Sequence, residues 1–465
     1  MSDATPPPAP NSSDRSIEDT LEQGGPEEIK ELFEEAHPAD LADALEELED
    51  DRWDEVLAEM PAQKFGQIIE HIPATDAVEH LSRSNDTYRQ EALAELPDDE
   101  LVDLLQEFPD HEREVYVELL PEEQKVRSRQ LLAYPETSAG GRMTTEIATV
   151  EEEMTIRQAI EKLSGVKETS ELLARIYVVD EQGRLKGKLR LRDLTFNPRS
   201  VLIKDVMDQD LLSIDAYADQ EEAARMISKY DLLALPVVDA DRRILGVVTH
   251  DDAIEILEEE STEDFEKLSG IQASDPDETY LRTPVLSHFR RRVGWVVTMA
   301  FLAISSGFVL YKFEHSLSAV PVLALYITMV VAAGGNTGSQ AATMVIRAMS
   351  LGEFQPKDFL EVIWKELRIG VLVGLCVGIA IYLQINILTV GEFPSAISAG
   401  AVAITVGLAL MMQIITSTVL GASLPQIARA CNVDPAAVAS PVITTVVDVT
   451  GLVIYFMLAK AFLGI

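Results

Sequence analysis

The spacing of apolar residues changes three times along this chain. Up to about residue 132, Leu, Ala, Val and Ile recur three and four positions apart, the period of an amphipathic helix. Such runs open at His37-Pro38-Ala39-Asp40, Ile72-Pro73-Ala74-Thr75-Asp76, Leu96-Pro97-Asp98-Asp99 and Leu120-Pro121-Glu122-Glu123. Each puts proline early and acids in the first turn, where a helix can spare an N–H and carries its positive end. The pattern predicts a stack of short helices, an acidic all-α domain over 27–135. Before it, PPPAP, NSS and EQGGP give residues 1–26 the composition of a disordered tail. From Met143, strand-length apolar runs alternate with helical ones, predicting an α/β domain over 136–257. Between Ile254 and Gln272 the stretch EILEEESTEDFEKLSG predicts an acidic connecting helix, assigned to 258–285. Five further runs, 293–311, 317–341, 369–390, 396–422 and 437–463, are apolar for long enough to cross a bilayer. They make 286–465 a five-helix transmembrane domain, so the fold class is a multidomain membrane protein.

The α/β region contains a repeat. Tyr177-Val178-Val179-Asp180-Glu181-Gln182-Gly183-Arg184 matches Pro236-Val237-Val238-Asp239-Ala240-Asp241-Arg242-Arg243 at an offset of 59, and the match runs on to Asp193 and Asp252. Strand, polar turn, strand ending near an Asp, then helix: this resembles a tandem pair of CBS modules. The resemblance implies two clefts, which in that family often hold adenine nucleotides such as ATP. In the second copy Gly246-Val247-Val248-Thr249-His250-Asp251-Asp252 is similar to the family's ribose-binding pattern. It implies Thr249, Asp251 and Asp252 as nucleotide ligands. The first copy has Arg190 at the position of Thr249. The alternative role for these polar residues is to cap a helix.

Charge divides the chain sharply. The formal net charge is −40, yet Leu286 to Ile465 holds 10 basic and 8 acidic residues. Met1 to Val285 therefore carries the whole excess of acid. Such a surface attracts cations and repels nucleic acid, and no basic stripe is present to bind one. Cys376 and Cys431 fit neither a disulfide framework nor a zinc pattern. The stretch Met1 to Ser16 is polar and Pro/Ser-rich, which predicts no signal peptide. The seven histidines form no HExxH spacing, and there is no P-loop or nucleophile motif, so no enzyme activity is expected. Basic residues set the membrane orientation: Arg290, Arg291, Arg292, Arg347, Lys357, Lys365, Arg368 and Arg429 share one side, and Lys312 and Lys460 the other. By the positive-inside rule the acidic part is cytoplasmic and the C-terminus outside a cell (inner) membrane.

Two membrane stretches carry unusual polarity. Asp448 is the only acid inside the last span, with Thr444, Thr445 and Thr450 on the same helix. A carboxylate at the centre of a span costs roughly 2.5–3.5 kcal/mol on insertion scales, so it must face protein, water or a cation. The second span contains Gly334-Gly335-Asn336-Thr337-Gly338-Ser339-Gln340, read as irregular backbone lining a water path. The competing reading of those glycines is close helix packing.

Taken together, a helical acidic domain, a CBS pair, an acidic connector and five spans bearing GGNTGSQAAT and DPAAVASPVITTVVDVTG resemble the MgtE family of magnesium channels. The resemblance implies a homodimer with a Mg²⁺ pore between subunits, lined by the second and fifth spans. It implies Asp448 as the ion-binding pore residue, with Gly334, Gly335, Asn336, Gly338, Ser440 and Thr444 as pore lining. Ser440 departs from the family pattern, where Asn is expected before Pro441. The resemblance also implies cytoplasmic Mg²⁺ sensing by Asp99, Asp103, Asp219, Glu221, Asp231, Asp252, Glu260, Glu263, Asp264 and Asp434, which closes the pore when Mg²⁺ bridges the domains. Two other readings are an ion-coupled divalent-cation exchanger working through Asp448, and a membrane-tethered nucleotide sensor without transport.

Overall fold

The computed structural model describes residues 16–46, 48, 50–164, 176–273, 280–281, 283–388 and 398–464. They form two compact units that divide between Glu260 and Ser261.

The first unit begins with ten described helices: α1 (Ile17–Gln23), α2 (Pro26–Glu35), α3 (Pro38–Glu46), α4 (Asp50–Ala58), α5 (Ala62–Ile69), α6 (Ala74–Arg83), α7 (Asp86–Leu93), α8 (Asp98–Glu107), α9 (Asp110–Leu119) and α10 (Glu122–Leu131). Of the stretch 1–26 assigned to a disordered tail, residues 16–26 instead hold α1 with its cap and the first residue of α2. Ser16 caps α1, and Leu21 is fully buried in the helical core, so one apolar anchor orders this polar stretch. Residues 1–15 lie outside the described residues. Pro73, Pro97 and Pro121 stand one place before the first helical residue, where their carbonyls accept the first helical hydrogen bonds. The far ends of helices are closed by arginines. Arg52 donates to the carbonyls of Leu21 and Gly24, Arg89 to those of Leu81 and Ser82, and Arg113 to those of Leu105 and Gln106. Last-turn carbonyls lack helical partners, and a guanidinium fork satisfies two at once.

The repeat folds as two equivalent three-stranded sheets. The first contains β1 (Ala148–Glu151), α11 (Ile156–Leu163), β2 (Ile176–Val179), β3 (Leu185–Leu189) and α12 (Leu191–Phe196). The second contains β4 (Ile214–Asp215), α13 (Gln220–Tyr230), β5 (Ala234–Val238), β6 (Ile244–Thr249) and α14 (His250–Leu268). In both, the first strand pairs parallel to the second and the second antiparallel to the third, with an irregularity at Val178/Val179 and at Val237/Val238. The hairpin turns also match. The Asp180 carboxylate accepts from the N–H groups of Gln182 and Arg184, and that of Asp239 from those of Asp241 and Arg243. The left-handed turn position is Gly183 in one copy (φ 79°) and Arg242 in the other (φ 64°). At Gly246 a side chain would collide with the carbonyl of Thr144, whose segment pairs with Val247.

The second unit begins with the last turns of α14. Among its described residues five helices are long and apolar enough to span a bilayer: α15 (Val285–Lys312), α17 (Ala324–Ser350), α18 (Phe359–Leu388), α19 (Ala399–Ala430) and α20 (Pro435–Leu463). A short helix, α16 (Glu314–Ala319), links the first two. The expected irregular turn in the second span is absent, because α17 runs unbroken through Gly334–Gly338. There Gly334 and Gly338 pack closely against α19 and α20. α18 and α19 meet through a ladder of glycines. A side chain at Gly370, Gly374 or Gly378 would press on Ile415, Met411 or Gly407, and small residues one turn apart let two backbones approach in lipid. The Tyr455 hydroxyl donates to the carbonyl of Leu323 at 2.8 Å, tying α20 to the entrance of α17.

Candidate divalent-cation sites

In the first unit, α8 and the start of α14 bring a set of acids together. Asp99 and Asp103, four apart on α8, share a flank with Glu100 beside them. Asp252, Glu255 and Glu259 recur three and four apart on α14. Burial, together with the nearby charge of Asp252, pushes the Asp99 carboxyl up to about 8. Burial likewise lifts Glu100 to about 9, reinforced by Asp99 and Asp103. Asp103 rises only to about 6, because the Arg142 guanidinium offsets much of its burial. Arg142 donates to Asp103 at 3.0 Å, to Glu259, and to the Gln220 amide oxygen at 3.1 Å. The Gln220 amide then donates to Glu260 at 2.8 Å. One cation is therefore shared between Asp103 and Glu259, and Asp99 Oδ1 is buried with no hydrogen-bond partner among the described residues. Glu100, Glu255, Glu259 and Arg142 escaped the sequence reading. The helical spacing of the acids was available as a signal; nothing local to Arg142 was.

The other expected sensor acids are distributed more widely. Asp219 caps the start of α13, accepting from the Glu221 N–H at 2.8 Å, and Glu221 pairs with Arg225. Asp231 closes the far end of α13 in a left-handed conformation (φ 50°). At 1.5 Å per residue the two ends lie roughly 18 Å apart, too far to share one ion. Thr249 and Asp252, expected at a nucleotide, cap α14 here: the Thr249 N–H donates to Asp252 Oδ2 at 2.8 Å, and its hydroxyl accepts from the Asp252 N–H. Asp251 is exposed. In the first copy Arg190 donates to Asp193 in the same way, at 3.0 Å from its backbone.

In the second unit Asp434 starts α20 and accepts from the Ala436 N–H at 2.8 Å. Lys267 Nζ lies 2.8 Å from Asp434 Oδ2 and also pairs with Glu263. Burial lowers the Lys267 pKa, but its hydrogen bonds to Asp434 and Glu263 outweigh that and raise it. The side chain of Lys267 thus stands between two of the acids expected to share a divalent ion. Asp264, one residue from Glu263, is half-buried.

Within the spans, α20 buries Ile443, Val447, Gly451, Tyr455 and Ala459 on one face. Thr444 is exposed and Asp448 half-exposed, four residues apart on the adjoining flank. Among the described residues none hydrogen-bonds the Asp448 carboxylate. On α17, Gly334 and Gly338 are packing positions: side chains there would press on Gln413 and Val447, and on Ile443 and the Ser417 carbonyl. Gly335 has open space at its Cα and Asn336 is exposed, so these two keep access to the helix's other flank. The side chain of Ser440 lies outside the described residues. Among the described residues, no three His, Cys, Asp or Glu side chains are gathered to hold one metal ion.

Comparison with known proteins places these features in one family. A model described as a divalent cation transporter, MgtE, matches residues 327–458; the MgtE intracellular N domain matches 36–137, and CBS domains match 139–198 and 203–259. The chain is 35% identical over 346 residues to the magnesium transporter MgtE of Thermus thermophilus, covering 74% of each chain. It is 34% identical over 333 residues to that of Bacillus subtilis, covering 72% of this chain and 71% of the relative. A crystal structure of the cytosolic domain of the Mg²⁺ channel MgtE in complex with ATP is 34% identical, covers 52% of this chain and 98% of that one, and superposes with a TM-score of 0.49. The chain belongs to the MgtE family of divalent cation transporters.

Proposed function

We propose that the protein conducts Mg²⁺ across the membrane as a homodimeric channel, with Asp448 as the fixed charge of its ion path and the cytoplasmic acids as its Mg²⁺ sensor. The observation that carries this reading is Asp448 itself: a carboxylate inside an apolar span, on a flank its own chain leaves partly open, with no hydrogen-bond donor from the described residues. A second copy across a two-fold axis would complete the path with its own Asp448. Gly335 and Asn336 on α17 and Thr444 on α20 are the lining residues this reading retains. Mg²⁺ gives up water reluctantly and is usually held by one or two carboxylates plus water. Sparse carboxylates suit that chemistry better than a closed cage would. The basic residues put the acidic domains in the cytoplasm.

The sensor reading rests on excess acid. Two like charges about 4 Å apart at an effective dielectric near 20 repel by roughly 4 kcal/mol. Arg142 pairs only with Asp103 and Glu259 and offsets a single charge; Asp99, Glu100, Asp252 and Glu255 must be protonated, spread apart or bridged by a cation. High cytoplasmic Mg²⁺ would favour the bridged, closed state by binding it more tightly than the open one. An adenine nucleotide at the second CBS cleft would have to win Thr249 and Asp252 from their helix cap.

The test is Mg²⁺ uptake into vesicles containing the purified chain. Uptake by the parent and a loss of 100-fold or more in Asp448→Ala are expected. Undiminished uptake in Asp448→Ala would refute the pore assignment. Combined Asp99→Asn and Asp252→Asn should weaken inhibition by Mg²⁺ on the cytoplasmic side, and unchanged inhibition would remove the sensor.

A further inference from the structure

The middle of α19 contains a polar group that packing alone does not explain. Gln413 is fully buried within an apolar span. Its Nε2 donates to the carbonyl of Val447 at 2.8 Å, and its Oε1 is buried with no partner among the described residues. An unmet amide oxygen in a bilayer is costly, and Leu or Met would fill the same volume without that cost.

The neighbouring helices are shaped around this amide. A side chain on Gly334 of α17 would collide with it, and one on Gly451 of α20 would lie 2.8 Å from its nitrogen. One turn along α19, the Ser417 hydroxyl meets that of Thr337 at 2.7 Å. The amide is therefore a wedge between α17 and α20, and its hydrogen bond holds one particular carbonyl of α20.

That carbonyl belongs to the residue before Asp448. Successive residues on a helix point about 100° apart. Anchoring Val447 against α19 fixes where Asp448 and Thr444 point; a turn of α20 by one residue would carry Asp448 toward α19. We infer that Gln413 is a positioning residue that sets the rotation of α20 and so aims Asp448 into the ion path. The inference rests on the reading of Asp448 as the ion-path residue.

The test compares Gln413→Met with the parent in the full-length chain, by thermal unfolding in detergent and by Mg²⁺ uptake at varied Mg²⁺. Gln413→Met should fold with an unchanged or higher midpoint, because the unmet oxygen is gone. Its half-saturating Mg²⁺ concentration should rise by about tenfold, and discrimination against Ca²⁺ should fall. Parent-like half-saturation and discrimination would overturn the inference. So would failure to fold, since that would make the amide part of the scaffold alone. A second comparison separates volume from hydrogen bonding. Gln413→Leu keeps most of the wedge's volume without its donor. It should keep the parent's stability but not its half-saturation; retention of both would also overturn the inference. Asp448→Asn in the same assay distinguishes the failures. If it transports normally, the ion-path reading falls; if it is inactive while Gln413→Met is normal, only the positioning role falls.

Discussion

Asp99, Glu100 and Asp103 sit within five residues of one another, yet burial raises their pKa values to about 8, 9 and 6. Between the ordinary carboxylate range and these values the folded unit binds more protons than the unfolded chain. Without divalent ions, its stability should therefore fall as pH rises from about 5 to about 9. Mg²⁺ must displace those protons, so the Mg²⁺-induced rise in the unfolding midpoint should be larger at pH 9 than at pH 6. Thermal unfolding at both pH values, with and without Mg²⁺, checks this; an equal rise would place the bound ion elsewhere. Arg242 supplies a second prediction at this scale. A left-handed L-residue costs roughly 1–2 kcal/mol, and glycine's extra freedom when unfolded returns roughly 0.5–1 of that. Arg242→Gly should raise stability by about 0.5–1 kcal/mol, measured by denaturant unfolding, because Gly183 already adopts that turn in the other copy.

At the level of elements, two cationic ties hold helices whose own sequences look unremarkable. Arg113 lies at the start of α9 and satisfies carbonyls at the end of α8, the helix that presents Asp99 and Asp103. Arg113→Ala should destabilise the first unit by about 1.5–3 kcal/mol, the worth of charged hydrogen bonds to part-buried carbonyls. Hydrogen exchange should quicken first in Asp98–Glu107. Lys267 pairs with both Glu263 and Asp434. The pairs are part-exposed, so their worth is at most about 1 kcal/mol. Lys267→Gln leaves the two acids facing each other without a cation. On the sensor reading, cytoplasmic Mg²⁺ should then inhibit uptake at a several-fold lower concentration. Unchanged inhibition would show that these two acids bind no regulatory ion.

For the whole molecule, much of the architecture is legible in the sequence. Helical spacing announced the N-terminal stack, the repeat at offset 59 announced two matching sheets, and long apolar runs announced five spans. These are periodic or compositional properties, dictated by how a backbone meets water or lipid. The glycines of α17 were legible as unusual but not by role: Gly334 and Gly338 turned out to be packing positions, which depends on the helices opposite. The acid cluster was half legible, since Asp99, Asp103 and Asp252 stood out while their company of Glu100, Glu255, Glu259 and Arg142 did not. Arg142 lies 39 residues from Asp103 and 117 from Glu259, and no local pattern joins them. Gln413 was silent for the same reason, one amide in an apolar run whose partner is Val447, 34 residues on. The sequence alone determined which segments are helices, which are strands and which enter the bilayer, because those choices depend on each residue's neighbours in the chain. Only the tertiary structure decided which acids keep their protons, which glycines touch another backbone and which way Asp448 points. Those outcomes follow from burial and contact between distant segments, quantities that do not exist until the chain has folded.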